Sequence, residues 1–211
     1  SWVIIIAALV VGVIAGIPPA RRVKMTAVPQ LVALFNGVGG GTVALIAWGE
    51  FIESDGFTTL RASSGPPVPL VVASLFAAII GSLSFWGSIV AFLKLQQILP
   101  GRPLSVGRLQ RPLNTCVFLG SVAAAVIVGV GAMTTGASPV WFGAILVLAG
   151  LLGVLTVLPI GGADMPVVIS LLNALTGLSA AAAGLALNNI AMIVAGMIVG
   201  ASGTILTNLM A

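Results

Sequence analysis

Seven apolar runs, each about as long as a membrane is thick, constrain this chain more than any other feature of its sequence. A helix crosses the roughly 30 Å hydrocarbon core with about 20 residues, and an open sheet cannot satisfy its backbone there. Only 6% of the residues are charged, against about a quarter in soluble domains. The chain is therefore predicted to be an all-α, multi-pass membrane protein, with residues 1–211 forming one transmembrane domain. The predicted spans are Trp2–Ile17, Val28–Trp48, Val68–Leu93, Leu113–Met133, Val140–Leu158, Met165–Leu187 and Asn189–Met210.

Charged loop residues predict the orientation of the helices. Seven of the eight basic residues fall in loops on the same side as Asp164, and the opposite side holds Arg61 and three acidic residues. Because basic loops stay in the cytoplasm, the N-terminus is predicted to lie outside, and the C-terminus and Asp164 inside. Lys94, at the end of the long third span, is expected to extend its amine to the surface. The basic residues of the Asp164 side are Arg21, Arg22, Lys24, Lys94, Arg102, Arg108 and Arg111.

The composition also argues against several kinds of site. The net charge is +4, but the basic residues separate apolar runs, which indicates membrane topology rather than a nucleic-acid surface. A single cysteine, Cys116, excludes an internal disulfide framework, and the lack of histidine argues against haem or zinc. Ser1 lies in an apolar run without a basic n-region or cleavage motif, so this run is predicted to span the membrane. We expect the sequence to be a piece of a longer protein on both sides.

The sixth span carries the most informative polar residues. Asn173 lies about two and a half turns inside an apolar helix, where an amide costs several kcal/mol unless a partner or water satisfies it. Ser170 and Thr176 extend Asn173 into a polar stripe. Such a stripe is typical either of helices held together by small polar groups or of a water-lined proton path.

Asp164 lies at the start of the same span. It follows the glycine pair Gly161 and Gly162, with one alanine between. An aspartate in this position can cap the helix, with Met165 and Pro166 opening it. Capping alone does not need two preceding glycines. A flexible glycine pair beside a charged helix entrance also suits a contact with a part that moves on the cytoplasmic side.

The second span contains Asn36, followed by the glycine-rich run Gly37–Gly41. Thr42 stands where the last glycine of a dinucleotide fingerprint is required, and no strand precedes the run, so that motif is excluded. The glycines indicate close helix packing, with a locally loosened helix and room for water beside Asn36. The last span is rich in small residues typical of packing, with Ser202 beside them.

Three blocks together resemble the membrane domain of the beta subunit of proton-translocating NAD(P) transhydrogenase. They are Lys24–Ala33, Gly87–Leu95, and Ile160–Asn173 with its continuation to Gly203. The resemblance covers essentially the whole chain and implies hydride transfer between NAD(H) and NADP(H), coupled to proton passage across a bacterial-type plasma membrane. It also implies an NADP(H)-binding domain after residue 211 and further N-terminal helices. This chain would bind no nucleotide or metal and would supply the proton route.

The resemblance assigns roles to individual residues. Asn173 matches the family's channel asparagine, and Asp164 matches an aspartate near the NADP(H)-binding domain. Ser202 matches part of a small polar pair whose other member is Ala201 here. Asn36 stands where the family often has a proton-handling histidine, so amides and hydroxyls are expected to line a hydrated path instead. The implied partners are an alpha subunit with its own membrane helices and NAD(H)-binding domain, in a dimer of alpha–beta units.

Two other readings remain open at this point. A secondary transporter or channel subunit for a small solute would predict an internal repeat and broken helices around a midplane site. The sequence shows no convincing repeat. A purely structural membrane subunit would leave the combination of Asp164 and Asn173 unexplained.

Overall fold

The structure, a computed structural model, describes residues 2–58, 68–105, 107–134 and 136–211, and every long element in those residues is a helix. All seven long helices described are apolar enough to cross a membrane, which confirms the predicted all-α bundle of seven spans. Short 3₁₀ turns precede three of them. The helices are α1 (Trp2–Arg22), α2 (Val28–Glu53), α3 (Val68–Leu95), α4 (Gln110–Met133), α5 (Pro139–Val157), α6 (Met165–Ala186) and α7 (Ile190–Met210).

The first helix, α1, extends further than predicted, because it continues through Pro18 and Pro19 to Arg22. Proline removes a backbone donor but keeps its carbonyl acceptor, and the Pro19 carbonyl accepts a bond of 3.0 Å from the Val23 N–H. No residue of α1 is buried, whereas each of the other six helices contributes buried residues. The core of the bundle is therefore built by α2 to α7.

The central helix is α3, which is hydrogen-bonded to three neighbours through its serines. At about 42 Å it is longer than the hydrocarbon core is thick, as expected for a tilted or projecting span. Its bonds reach α5, α6 and α2: Ser82 Oγ to Leu146 O (2.7 Å), Ser84 Oγ to Leu172 O (3.4 Å), and Asn36 Nδ2 to Ser88 Oγ (2.8 Å).

Glycines bring the backbones of α2 and α3 into contact. A Cβ added to Gly40 would lie 2.9 Å from Gly81 O, and one added to Gly81 would lie 2.8 Å from Gly40 O. This confirms the close packing predicted for the glycine run. The predicted loosening of the helix is wrong, because α2 is unbroken from Val28 to Glu53. On the Gly40 side of Asn36, α3 backbone fills the space where room for water was expected.

A second glycine seam joins α6 to α7. A Cβ on Gly177 would lie 2.6 Å from Gly200 N, and one on Gly203 would lie 3.0 Å from Ala174 Cα. The small residues of the last span are therefore packing residues, as predicted. The seam leaves no space for a ligand between the two helices at these positions.

The basic loops and Asp164 share one end of the bundle, here called the basic end. Gln30 Nε2 donates to Leu95 O (2.9 Å), and Gly162 N–H donates to Gly101 O (2.8 Å), so the start of α2, the end of α3 and the turn before α6 are neighbours. This arrangement agrees with the grouping of loops predicted from charge. Arg61, predicted at the opposite end, lies outside the described residues.

The expectation that Lys94 reaches the surface is wrong. Its side chain is only 2% exposed, and Nζ donates to Leu158 O and Ile160 O. These carbonyls lie just beyond the last turn of α5, where backbone acceptors have no partner within the helix. They give the ammonium its hydrogen bonds inside the protein, so extension to water is unnecessary.

Aromatic rings pack together at the end opposite the basic end. Phe51 contacts Phe142 with ring centroids 4.5 Å apart and Phe57 with centroids 5.3 Å apart, and Trp48 lies 5.4 Å from Phe142. All three phenylalanines are fully buried. Offset and edge-to-face ring packing of this kind fills space densely. The buried polar groups that concern function lie towards the basic end instead.

Candidate functional site

A buried amide–hydroxyl pair forms the centre of the candidate site. Asn36 is 8% exposed, and its Nδ2 donates to Ser88 Oγ over 2.8 Å. Asn36 Oδ1 is buried without a hydrogen-bond partner in the described residues. Buried polar atoms are nearly always satisfied by protein or by ordered water. The free carbonyl oxygen is therefore the natural acceptor for a water molecule beside α2.

Four polar residues lie at similar depth from the basic end, and we call them the polar layer: Asn36, Ser88, Ser170 and Asn173. With 1.5 Å per helical residue, Asn36, Ser88 and Asn173 lie about 10 to 12 Å from the ends of their helices. Ser170 lies one turn nearer to Asp164. The sequence predicted Asn36, Ser170 and Asn173, and the structure places Asn36 and Asn173 at about the same height on α2 and α6.

A cavity of about 310 Å³ opens beside this layer. It is bounded by the first turns of α2 and α6 and the last turns of α7, and Ser170 and Asn173 contribute to its wall. Val32, one turn before Asn36, lines the same cavity. The remaining lining residues are apolar: Val28, Pro29, Pro166, Ile169, Leu206 and Met210.

Ser170 is tied to the last helix by a group of three oxygens. The Thr207 hydroxyl lies 3.0 Å from Ser170 Oγ and 2.8 Å from Gly203 O, and Ser170 Oγ lies 3.4 Å from Gly203 O. Ser170 is buried and Thr207 is half-buried. Hydroxyl protons can rotate between these acceptors, because each hydroxyl both donates and accepts.

The hydrogen bonds of Thr176 and Ser202 stay within their own helices and do not reach the polar layer. Thr176 donates to Leu172 O in its own helix (2.9 Å), and its methyl group faces α2, 3.6 Å from where a Cβ of Gly39 would stand. Ser202 is exposed and donates to Val199 O (3.2 Å). Their roles in a proton path stay predictions.

The segment from Gly161 to Asp164 forms the turn that leads into α6. Asp164 occupies the N-cap position, but its side chain makes no capping hydrogen bond and is exposed. Gly161 and Gly162 have neither a positive φ nor a close contact that requires glycine, since an added Cβ would meet nothing nearer than 3.5 Å. The conformation of this turn therefore gives no structural reason for an aspartate at position 164 or for glycines at positions 161 and 162.

Two polar residues at the site were not singled out as candidates from the sequence. Ser88 follows an aromatic segment typical of core packing, and Thr207 belongs to the last span, whose small residues are typical of helix packing. A stripe of hydroxyls on α3 was the available signal, since Ser74, Ser84 and Ser88 recur on one helical face with Gly81. Ser74 Oγ is also buried without a hydrogen-bond partner in the described residues.

The polar layer contains amides and hydroxyls only. Such groups do not change charge near neutral pH, but they can hold water and pass hydrogen bonds along a chain. Within the described ranges, no three His, Cys, Asp or Glu side chains stand close enough to hold a metal ion. The polar layer therefore offers hydrogen-bonding groups that can hold water.

Comparison with known proteins identifies the family of the chain. The whole chain, residues 1–211, matches the family described as NAD(P) transhydrogenase beta subunit. Two curated relatives from Rhodospirillum rubrum, both named NAD(P) transhydrogenase subunit beta, are 39% identical to this chain over 210 residues. The alignments cover 100% of this chain and 43% of each relative, so the chain spans less than half their length. The chain belongs to the NAD(P) transhydrogenase beta subunit family.

Proposed function

We propose that this chain is the proton-translocating membrane part of an NAD(P) transhydrogenase, coupling proton passage to hydride transfer from NADH to NADP⁺. Family membership over the whole chain supports the reaction. The polar layer beside an open cavity supports the proton route, and the free Asn36 Oδ1 is the observation that carries it. That oxygen sits deep in a membrane helix bundle, where water is the acceptable partner.

In this proposal the proton enters the polar layer through water in the cavity lined by Ser170 and Asn173. Asn36 does not line this cavity, so its buried Oδ1 would accept a hydrogen bond from a water molecule deeper in the bundle, while Nδ2 remains bonded to Ser88. A neutral amide cannot carry the proton itself near neutral pH, so the proton moves along the water chain. Thr176 and Ser202 extend the route beyond the polar layer.

Asp164, with Gly161 and Gly162, couples the proton route to NADP(H) occupancy in this proposal. Its carboxylate is exposed at the basic end and free of a capping bond, so it is accessible to a neighbouring domain. The nucleotides would be held outside this chain, NADP(H) by a domain after residue 211 and NAD(H) by the alpha subunit. The assembly would be a dimer of alpha–beta units in a bacterial-type plasma membrane, with the basic end in the cytoplasm.

The direct test uses the beta subunit assembled with its alpha subunit and reconstituted in sealed vesicles. Hydride transfer between the two nucleotides is expected to change the internal pH, and a protonophore is expected to abolish that change. Hydride transfer that leaves the internal pH constant in sealed vesicles would contradict the proposal. Uptake of a solute driven by a pH gradient, without hydride transfer, would favour a secondary transporter.

A further inference from the structure

Lys94 carries a buried charge that the proposed proton route does not use. Of the basic residues that the structure describes, it is the only one whose side chain is buried. Its hydrogen bonds go to the carbonyls of Leu158 and Ile160, and no described carboxylate bonds to it. Burying an ammonium is costly, so a lysine that stays inside must contribute something that a surface lysine does not.

The position of Lys94 suits a cation on electrostatic grounds. Lys94 lies in the last turn of α3, which ends at Leu95, and its ammonium reaches past the last turn of α5, which ends at Val157. The C-terminal ends of both helices carry partial negative charge from unpaired carbonyls. One ammonium with three N–H donors can therefore satisfy two convergent carbonyls and offset the dipoles of two helices.

The carbonyls that Lys94 holds belong to the turn that bears Asp164. Two backbone bonds also reach this turn from the loop between α3 and α4: Gly162 N–H to Gly101 O (2.8 Å) and Leu104 N–H to Leu158 O (3.1 Å). Lys94 provides the side-chain attachment between α3 and the turn. Because α3 also carries Ser88, this attachment links the polar layer to the turn through one rigid helix.

We propose that Lys94 is a positioning residue, which clamps the turn of residues 158–164 to the end of α3 and so fixes where Asp164 is presented. This inference rests on the proposed function only for the role of Asp164. The glycine pair agrees with this role. The present conformation does not need glycine at position 161 or 162, and glycine would allow the turn to adopt a second conformation. Lys94 selects the conformation seen here.

Hydrogen exchange in the assembled complex tests the clamp. In Lys94→Met, exchange of the Gly162 and Leu104 amides is expected to accelerate at least about tenfold, because two charge-assisted bonds are lost. Lys94→Arg keeps a cationic donor and is expected to retain most of the protection. Gln96→Ala is the matched control, since Gln96 lies at the same helix end and donates to Gln30 Oε1 (3.1 Å), away from the turn. Unchanged exchange in Lys94→Met would overturn the proposal.

If Lys94→Met does not assemble, Lys94→Gln replaces it, because glutamine is uncharged and one atom too short to hold both carbonyls as lysine does. Exchange is again expected to accelerate, and wild-type rates in Lys94→Gln would equally overturn the clamp. The second measurement is the rate of NADP(H) release. Lys94→Met is expected to change this rate, with recovery in Lys94→Arg, whereas a lysine that only stabilises the fold would leave it unaltered. If exchange accelerates but Asp164→Asn releases NADP(H) normally, the clamp stands and the coupling role of Asp164 fails.

Discussion

At the scale of single residues, the proposed proton route depends on one amide, Asn36, that is buried for a reason other than packing. Asn36 makes one good hydrogen bond, to Ser88, and leaves Oδ1 without a partner in the described residues. A residue selected only to hold helices together would be expected to satisfy both ends of its amide. The sequence identified Asn36 and Asn173 because amides are rare in apolar spans. It missed Ser88, because a serine in a helix is ordinarily satisfied by its own backbone.

Replacing Asn36 by leucine separates a role in the proton route from a role in helix packing. Leucine removes the orphaned oxygen but also leaves the buried Ser88 hydroxyl without its Asn36 donor, so the free energy of unfolding is expected to fall by no more than about 1 to 3 kcal/mol. Proton-coupled turnover of the assembled complex is expected to fall at least about tenfold. Val38→Leu, an exposed change on the same helix, is the control. A large loss of thermal stability that accompanies the loss of turnover would favour packing.

Replacing Asp164 by asparagine tests charge against capping. Asparagine caps a helix about as well as aspartate, and Asp164 makes no capping bond in any case, so stability is expected to stay unchanged. If the charge communicates with the NADP(H)-binding domain, NADP(H) release or its pH dependence is expected to change. Stopped-flow measurement of release across pH decides the matter, and identical profiles would leave Asp164 without a coupling role.

At the scale of helices, glycine fixes how close neighbours approach. The seven spans could be read from run lengths, because hydrocarbon thickness dictates them and the structure keeps most boundaries within a few residues. The pairing of helices could not be read in the same way. Gly40 and Gly81 are 41 positions apart in sequence, and only the folded chain shows that each faces the backbone of the other. The carbonyl partners of Lys94 could not be predicted from the sequence for the same reason.

Gly40→Ala is expected to destabilise the bundle by about 1 to 3 kcal/mol, because the new methyl would overlap Gly81 O at 2.9 Å. Gly49→Ala on the same helix is the control, since a Cβ there meets nothing within 4 Å. The control is expected to be neutral or slightly stabilising, because alanine favours helix more than glycine does. Thermal unfolding in detergent measures both variants. Equal melting temperatures would contradict the close crossing of α2 and α3.

At the scale of the whole molecule, the chain is a helical membrane domain whose polar interior faces one end. The structure places the basic loops, the cavity and the Asp164 turn together there, while buried aromatic rings fill the other end. Loop charges predicted this grouping, because topology depends on a simple count of basic residues. The cavity itself could not be predicted, because its shape depends on how the ends of α2, α6 and α7 are arranged around it.

We expect the chain, purified on its own, to bind neither NADP(H) nor NAD(H). Dinucleotide sites use a helix N-terminus that follows a strand, and the glycine-rich run of this sequence lies inside a transmembrane helix against α3. Isothermal titration calorimetry with NADPH is the measurement. Saturable binding in the micromolar range would show that a nucleotide site lies within these helices.

The central claim is that protons cross through the polar layer, and Asn173→Leu in the assembled, reconstituted complex tests it most directly. The measurement is the initial rate of internal pH change in sealed vesicles during hydride transfer, normalised to the amount of assembled complex. Leu171→Val, on the exposed face of the same helix, is the control and is expected to match wild type. The account predicts that Asn173→Leu assembles normally and loses about 90% or more of the proton movement. Wild-type proton movement in Asn173→Leu would contradict the claim.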